Sequence, residues 1–488
     1  MSKCLALVVG LVVVAGAAGR FDQKLKGDKQ VEQVLSRLTF GARTGDVERV
    51  RETGWKKWVE RQLVPETITE NPELLEKLAG MPTLEMSTEE LIKRYPSPQV
   101  IGAVAQGRLA MPEEPELRRM YERMVDQYKA RKEGEKGKGR VVQPLRAVVT
   151  ELTEAKIYRA VLSERQLEEV LVDFWFNHFN VFLEKGADRW LTTSYEREAI
   201  RPHVLGKFEE MLKATAQHPA MLFYLDNWQS VSEAFGKRLP KARGINENYA
   251  RELMELHTLG VDGGYTQRDV QEVARCFTGW TIEQPLRGAK FRFAPRMHDK
   301  GEKVVLGQKI AAGGGMDDGL RVIAMLAKHP HTARFVSRKL AQRFVADEPP
   351  EALVEKMART FLKSDGDLKE VMRTLIYSPE FSSEGAYRAK MKSPLEMVAG
   401  ALRASEAKLS SALAVSQALV QMGQPLYRKQ EPTGYSNNGE EWVNSAALQA
   451  RMNFAVALSE NKVRGVEIDR ERFAALAKNM GAPEFQRR

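Results

Sequence analysis

The chain has 488 residues, 43% hydrophobic and 29% charged, a composition that builds a globular core and excludes a wholly disordered protein. At this length two or three domain-sized units, or one large body, can be stabilised without disulfides. The net charge of +10 permits anionic partners but selects none.

Residues 1–18 read as a signal peptide. Lys3 precedes an apolar run over 5–14, and Ala15, Gly16, Ala17 and Ala18 form a small-residue end. The run is short for a membrane span. Cys4 precedes it, unlike the cysteine of a lipoprotein signal. The mature protein is therefore expected outside the cytoplasm, periplasmic or extracellular, with no membrane span. Removal of the leader would leave Cys276 as the one cysteine, so no intrachain disulfide is expected.

Residues 28–130 form an N-terminal helical region. Val47, Val50 and Trp58 recur at helical spacing over 44–63, and prolines at 82, 96, 98, 112 and 115 break the later pieces. Residues 118–140 hold nine Lys/Arg and four Asp/Glu, and 131–143 read as a basic flexible linker. No aromatic residues interleave these charges through the linker and no nucleic-acid motif surrounds them, so nucleic acid is not an expected partner.

The main helical domain spans 144–460. Ser163 and Gln166 have capping-box spacing ahead of a stripe of Leu167, Val170, Leu171, Phe174 and Trp175 that runs into His178. A short buried helix from 218 ends at Asp226 and Asn227. The next helix runs from Asn246 to Gly260, and another starts at Thr266 and Asp269 and stops at Gly279. A β-hairpin is predicted over 289–308, with "KFRF" and "KVVLG" as its strands and "HDKG" turning between them. Helices resume to the end, with a C-terminal helix and tail over 461–488. The fold class is mostly α, a multi-helical bundle-like body with one small hairpin.

Seven segments occur in order: "LSRLTFGARTGDVERVRETGWKKWVERQL", "VDFWFNHFNVF", "HPAMLFYLDNWQS", "GINENYARELMELHTLGVDGGYTQRDVQEVARCFTGW", "HDKGEKVVLG", "TARFVSRKLAQRFV" and "PTGYSNNGEEWVN". Together they closely resemble the bacterial domain-of-unknown-function 1800 family, from about residue 30 to about 460. The linker and both termini depart from it. The resemblance implies a bacterial, usually exported protein. It also implies a partner, another exported protein encoded nearby with a sulfatase-like look. It carries no established reaction.

The chemistry-bearing candidates cluster in those segments. On a regular helical wheel Asn248, Glu252 and Glu255 share one edge of the 246–260 helix, and His257 lies about 160° from Glu255. Two carboxylates a turn apart can share a proton or a divalent metal. His178 continues an apolar stripe at a helix C-terminus, where a protonated ring gains from the dipole. His178, Asn248, Glu252 and Glu255 are the catalytic candidates. Asp226, Tyr435 and Trp442 are the substrate-binding candidates, the last two suited to a sugar or peptide. No Glu-x-x-His, His-Glu-x-x-His or Gly-x-Ser-x-Gly motif is present, so no metal ligand set is assigned. His298 and Asp299 are a weak pair for chemistry, Asp299 and Gly301 suit the hairpin turn itself, and His329 and His331 sit at a helix start suited to capping. Two readings stay open: a hydrolase or other acid/base enzyme with its site on the 246–257 helix, and a non-catalytic scaffold acting with another exported protein.

Overall fold

In a computed structural model of the chain, residues 19–132, 145–239, 244–469 and 485–488 are described. Helices dominate them, and the strands present form three two-stranded antiparallel sheets. None of the helices described is long and apolar enough to cross a membrane. The expected signal peptide, nearly all of the expected linker and most of the expected C-terminal helix lie outside the described residues.

The helix Gln166–His178 sits at the centre. Leu167, Val170, Leu171 and Trp175 are fully buried, so the stripe found in the sequence faces the core as expected. Each such side chain contributes about 1.5–3 kcal/mol on burial. The capping box at its start does not form. Ser163 instead donates to Glu70 Oε2 at 2.8 Å, and Gln166 reaches back to the Ala160 and Ser163 carbonyls. Longer-range partners outcompeted the local cap.

The helices Asp28–Leu38 and Trp55–Gln62 pack on this central helix, and one hydrophobic cluster contains residues from both the 28–130 and 144–460 regions. The segment 44–63 is two helices, Asp46–Thr53 and Trp55–Gln62, because Gly54 at φ +83° ends the first. Gly41 fixes another approach. A Cβ there would lie 2.9 Å from Gly400 Cα in the helix Pro394–Ala404.

The predicted hairpin needs correction. Both strands exist, but they do not pair with each other. Lys290–Phe293 pairs backwards with Trp280–Glu283, and Lys303–Val305 pairs forwards with Gln308–Ile310. Leu306 and Gly307, at φ +49° and +75°, make a two-residue turn that closes the second pair locally. Closing that loop costs less chain entropy than pairing across the longer 294–302 segment.

Two helical segments are wider than α. Tyr195–Ile200 and Leu253–Thr258 are π-helical, each continuing an α-helix. In the second, Thr258 Oγ1 donates to the Leu253 carbonyl at 2.6 Å, and the Leu259 amide reaches five residues back to Met254 at 2.8 Å.

Candidate functional site

The helix carrying Glu252 is α-helical over Asn248–Glu252 and π-helical from Leu253. The wider turn spreads Glu252 and Glu255 further apart around the axis than a regular wheel places them. The segment ends at Gly260, φ +85°, so the His257 carbonyl has no amide of its own helix to accept from. His178 takes that role: its Nε2–H donates to His257 O at 3.1 Å.

This contact places His178 deep in the core. The ring is 2% exposed, against Phe179, Trp175 and Phe174, and its Nδ1 has no hydrogen-bond partner. Burial, then the Lys339 and His257 charges, push it well below the ordinary histidine range. The helix-terminal gain expected for a protonated ring is overridden by desolvation. His257 is equally enclosed, its Nε2 unpartnered, and burial lowers it to about 3.

Glu252 and Glu255 are half-buried, and neither carboxylate accepts a hydrogen bond among the described residues. Burial raises the Glu252 carboxyl above the ordinary range, and the Glu255 charge adds to it. Asn248 donates a long bond, 3.4 Å, to the Leu225 carbonyl, while Asn246 reaches Asp226 O at 3.5 Å. Asp226 itself stands at φ +59° and pairs with Lys185 at 2.9 Å. Asn248 and Asp226 thus meet at one turn. Among the described residues, no group of three or more His, Cys, Asp or Glu side chains is placed to hold a metal ion.

A different set of residues forms a cleft between the central helix and the 424–442 loop. The sequence candidates Tyr435 and Trp442 line it. Asn177 clamps the loop, accepting from Tyr435 N at 2.6 Å and donating to Tyr435 O at 2.8 Å. Asn180 donates to the Lys429 and Glu431 carbonyls at 3.0 and 2.9 Å. Gly434 is required there, because a Cβ would stand 2.2 Å from Asn177 O. Tyr435 and Trp442 lie 5.7 Å apart, ring to ring, with Tyr435 OH donating to Pro425 O. Neither His178 nor Glu252 lines this cleft.

Its charges come from positions far apart in the chain. Lys156, Arg343, Lys390 and Arg488 face Asp173 and Glu396. Lys156 pairs with Asp173 at 2.9 Å and lies 4.9 Å from the Tyr427 ring centre. Glu396 is gripped by Arg343 and, at 2.7 Å, by Arg488, while Lys390 pairs with Asp347 just outside. Behind Glu396 stand two more buried guanidiniums. Arg37 is lowered to about 9 and Arg451 to about 10, first by burial and against the pull of Glu396. Arg37 Nε and Nη1 and Arg451 Nε have no hydrogen-bond acceptor among the described residues. The cavity volume is about 60 Å³, room for about four waters at roughly 15 Å³ each. Sequence reading missed these cations. They recur at no spacing, and Asp173 and Asn177, four apart on one helix, were the local signal available.

His298 is 4% exposed; Nε2 meets Asp318 Oδ2 at 3.1 Å and Nδ1 meets Thr278 O at 2.8 Å. The Lys303 ammonium donates to the same Asp318 oxygen at 2.7 Å and to the carbonyls of Asp299 and Gly301 at 2.5 and 2.9 Å. Asp299 turns outward to a two-point pair with Arg275. This buried network fastens the 298–303 segment to the start of the helix Met316–Ala327. His329 caps its helix, accepting from His331 N at 3.2 Å.

Residues 33–487 match the model of the family described as "Protein of unknown function (DUF1800)", and the chain belongs to that family. No curated protein and no solved structure matches the chain.

Proposed function

We propose that this family member is an exported, non-catalytic binding protein whose cleft at the 424–442 loop receives a small anionic group. The group is a carboxylate or sulfate presented by an acidic glycan or by an acidic side chain of an exported partner. The observation that carries the reading is the concentration of cations around a narrow cleft, with carboxylates that are already paired. Four cations line it against two carboxylates, so an anion entering it meets Lys156 and Arg343 in a surplus of positive charge, and Tyr435 and Trp442 offer flat faces to the rest of the ligand. Binding without turnover fits Asp173 and Glu396, whose charges are committed to ion pairs.

The test is calorimetric titration of the signal-free protein with glucuronate, glucose and inorganic sulfate. Binding of glucuronate and sulfate but not glucose, lost in Lys156→Met, supports the reading. Equal heats for glucose and glucuronate, or unchanged binding in the variant, refute it.

A second reading, an acid/base hydrolase on the 246–257 helix, is favoured by one observation: the raised, unpartnered Glu252 carboxyl beside Glu255. Hydrolysis of a glycan or ester substrate abolished by Glu252→Gln, with sulfate binding intact, would favour it over the first.

A further inference from the structure

A second cavity, about 510 Å³, opens on the other side of Glu396 and Arg488. Lys392 lines it, on the segment leading into the helix Pro394–Ala404. Its backbone is pinned on both sides: the amide donates to Gln486 O at 2.8 Å and the carbonyl accepts from Arg451 at 2.8 Å. Its ammonium is not pinned by any described residue. Most other enclosed lysines have a carboxylate: Lys156 has Asp173, Lys185 has Asp226, Lys303 has Asp318 and Lys390 has Asp347. Lys392 Nζ has no ion pair or hydrogen bond to a described residue. It rests 4.0 Å from the Phe485 ring centre, and a Cβ at Gly400 would sit 3.9 Å from it.

Several charged groups act on it. Glu396 favours the ammonium but is held by Arg343 and Arg488. Arg388 and Arg451 oppose it, and burial is the largest effect, bringing the amine down to about 8. The Phe485 face favours the cation and offsets part of this. Arg388 shares the cavity and, among the described residues, finds no carboxylate closer than Glu32 at 3.9 Å.

We propose that Lys392 is a reactive amine that forms an imine with a small aldehyde or 2-keto acid whose carboxylate is received by Arg388. The neutral amine adds to the carbonyl carbon. Both amine hydrogens then leave with the carbonyl oxygen as water, and C=N replaces C=O, with no oxidant or reductant needed. Lys392 does not line the cleft of the proposed binding function, so the two ideas stand or fall separately.

At pH 7.5 an amine titrating near 8 is about one quarter neutral, against roughly one in a thousand for an ordinary lysine. The experiment treats the full chain with glyoxylate or acetaldehyde and cyanoborohydride, which traps the imine, and maps modified lysines by peptide mass spectrometry. Labelling of Lys392 by glyoxylate at least tenfold faster than the exposed Lys237 and Lys300 is expected. Its rate should level off above about pH 8, where theirs still climb. Arg388→Gln should slow glyoxylate at Lys392 more than acetaldehyde, which feels only the rise of the amine once the Arg388 charge is gone. Labelling no faster than at Lys237 and Lys300 overturns the reactive amine. An Arg388→Gln effect equal for both reagents, or absent, overturns the carboxylate site.

Discussion

Replacing Asp318 by Asn removes one charge from a site closed to bulk solvent. The Lys303 and Asp318 side chains are both 0% exposed, so the ammonium would keep two carbonyls and lose its nearer counter-ion, leaving Asp299 at 3.9 Å. His298 would lose its charged acceptor in the same step. Breaking a buried ion pair from one side costs about 3–5 kcal/mol. Unfolding entropy of about 2.1 cal/mol/K per residue makes roughly 1 kcal/mol/K for 488 residues, if the chain unfolds as one unit. Asp318→Asn should therefore lower Tm by about 3–5 °C in scanning calorimetry. A paired change, Lys303→Met with Asp318→Leu, removes both charges and should recover most of that loss. A shift under 1 °C for Asp318→Asn would mean that water or another group reaches Lys303, and the account of a dry, fastening network would fail. Gly314 gives an independent check. A Cβ there would stand 2.0 Å from Asp318 Oδ1, so Gly314→Ala should displace the same carboxylate and destabilise comparably.

Buried neutral histidines set an acid limit. His218 and His257 fall to about 3 through burial, from about 6.5 unfolded, so between those values the unfolded state binds more protons and stability falls as pH falls. Urea midpoints from pH 6.5 to 5.5 should show this, and His257→Phe should reduce the loss over that pH unit by about 1 kcal/mol; an unchanged slope would mean that His257 already holds its proton when folded. Glu255→Gln should bring the Glu252 carboxyl down toward the ordinary range, followed by carbon NMR of labelled Glu, and no movement would remove the coupling between them. Asn177→Ala deletes both clamping bonds to Tyr435 at a cost of about 1–3 kcal/mol. Limited proteolysis should then cut within 424–442 faster than in the parent, and equal rates would show that Asn180 and Tyr435 OH hold the loop unaided.

Periodicity alone located the central helix and its buried stripe, because a helix packed on all sides repeats its apolar residues every three to four positions. Thr266 and Asp269, read as the start of a helix, do start it and form a capping box, with Asp269 using its other oxygen for the Leu306 amide. Ser163 had the same spacing and failed, since Glu70, 93 residues away, holds its hydroxyl. Strand pairing was misread for a related reason: each strand had a nearer partner than the one assigned. The wheel for 246–260 assumed a uniform turn and could not foresee the π segment, which depends on Thr258 bonding five residues back. The cleft was half legible. Tyr435 and Trp442 stood out as exposed-type aromatics in a Gly/Asn loop, but Arg343, Lys390 and Glu396 reach it only through tertiary packing.

The π-turn at Leu253–Thr258 also bears on how this segment tolerates insertion and deletion. A π-turn holds one residue more than the α-turn it replaces, so it is the footprint of a single added residue in an otherwise regular helix. Losing one residue there would restore the α register and rotate everything beyond it by about a quarter turn. The Met254 carbonyl, which now takes both the Leu259 and Gly260 amides, would revert to a single helical bond. The carbonyl that His178 caps would swing out of the aromatic core, leaving both ring nitrogens of a buried imidazole without a partner. Length in this helix is therefore constrained as tightly as composition, and a one-residue deletion here should be harder to accommodate than most single substitutions on its surface.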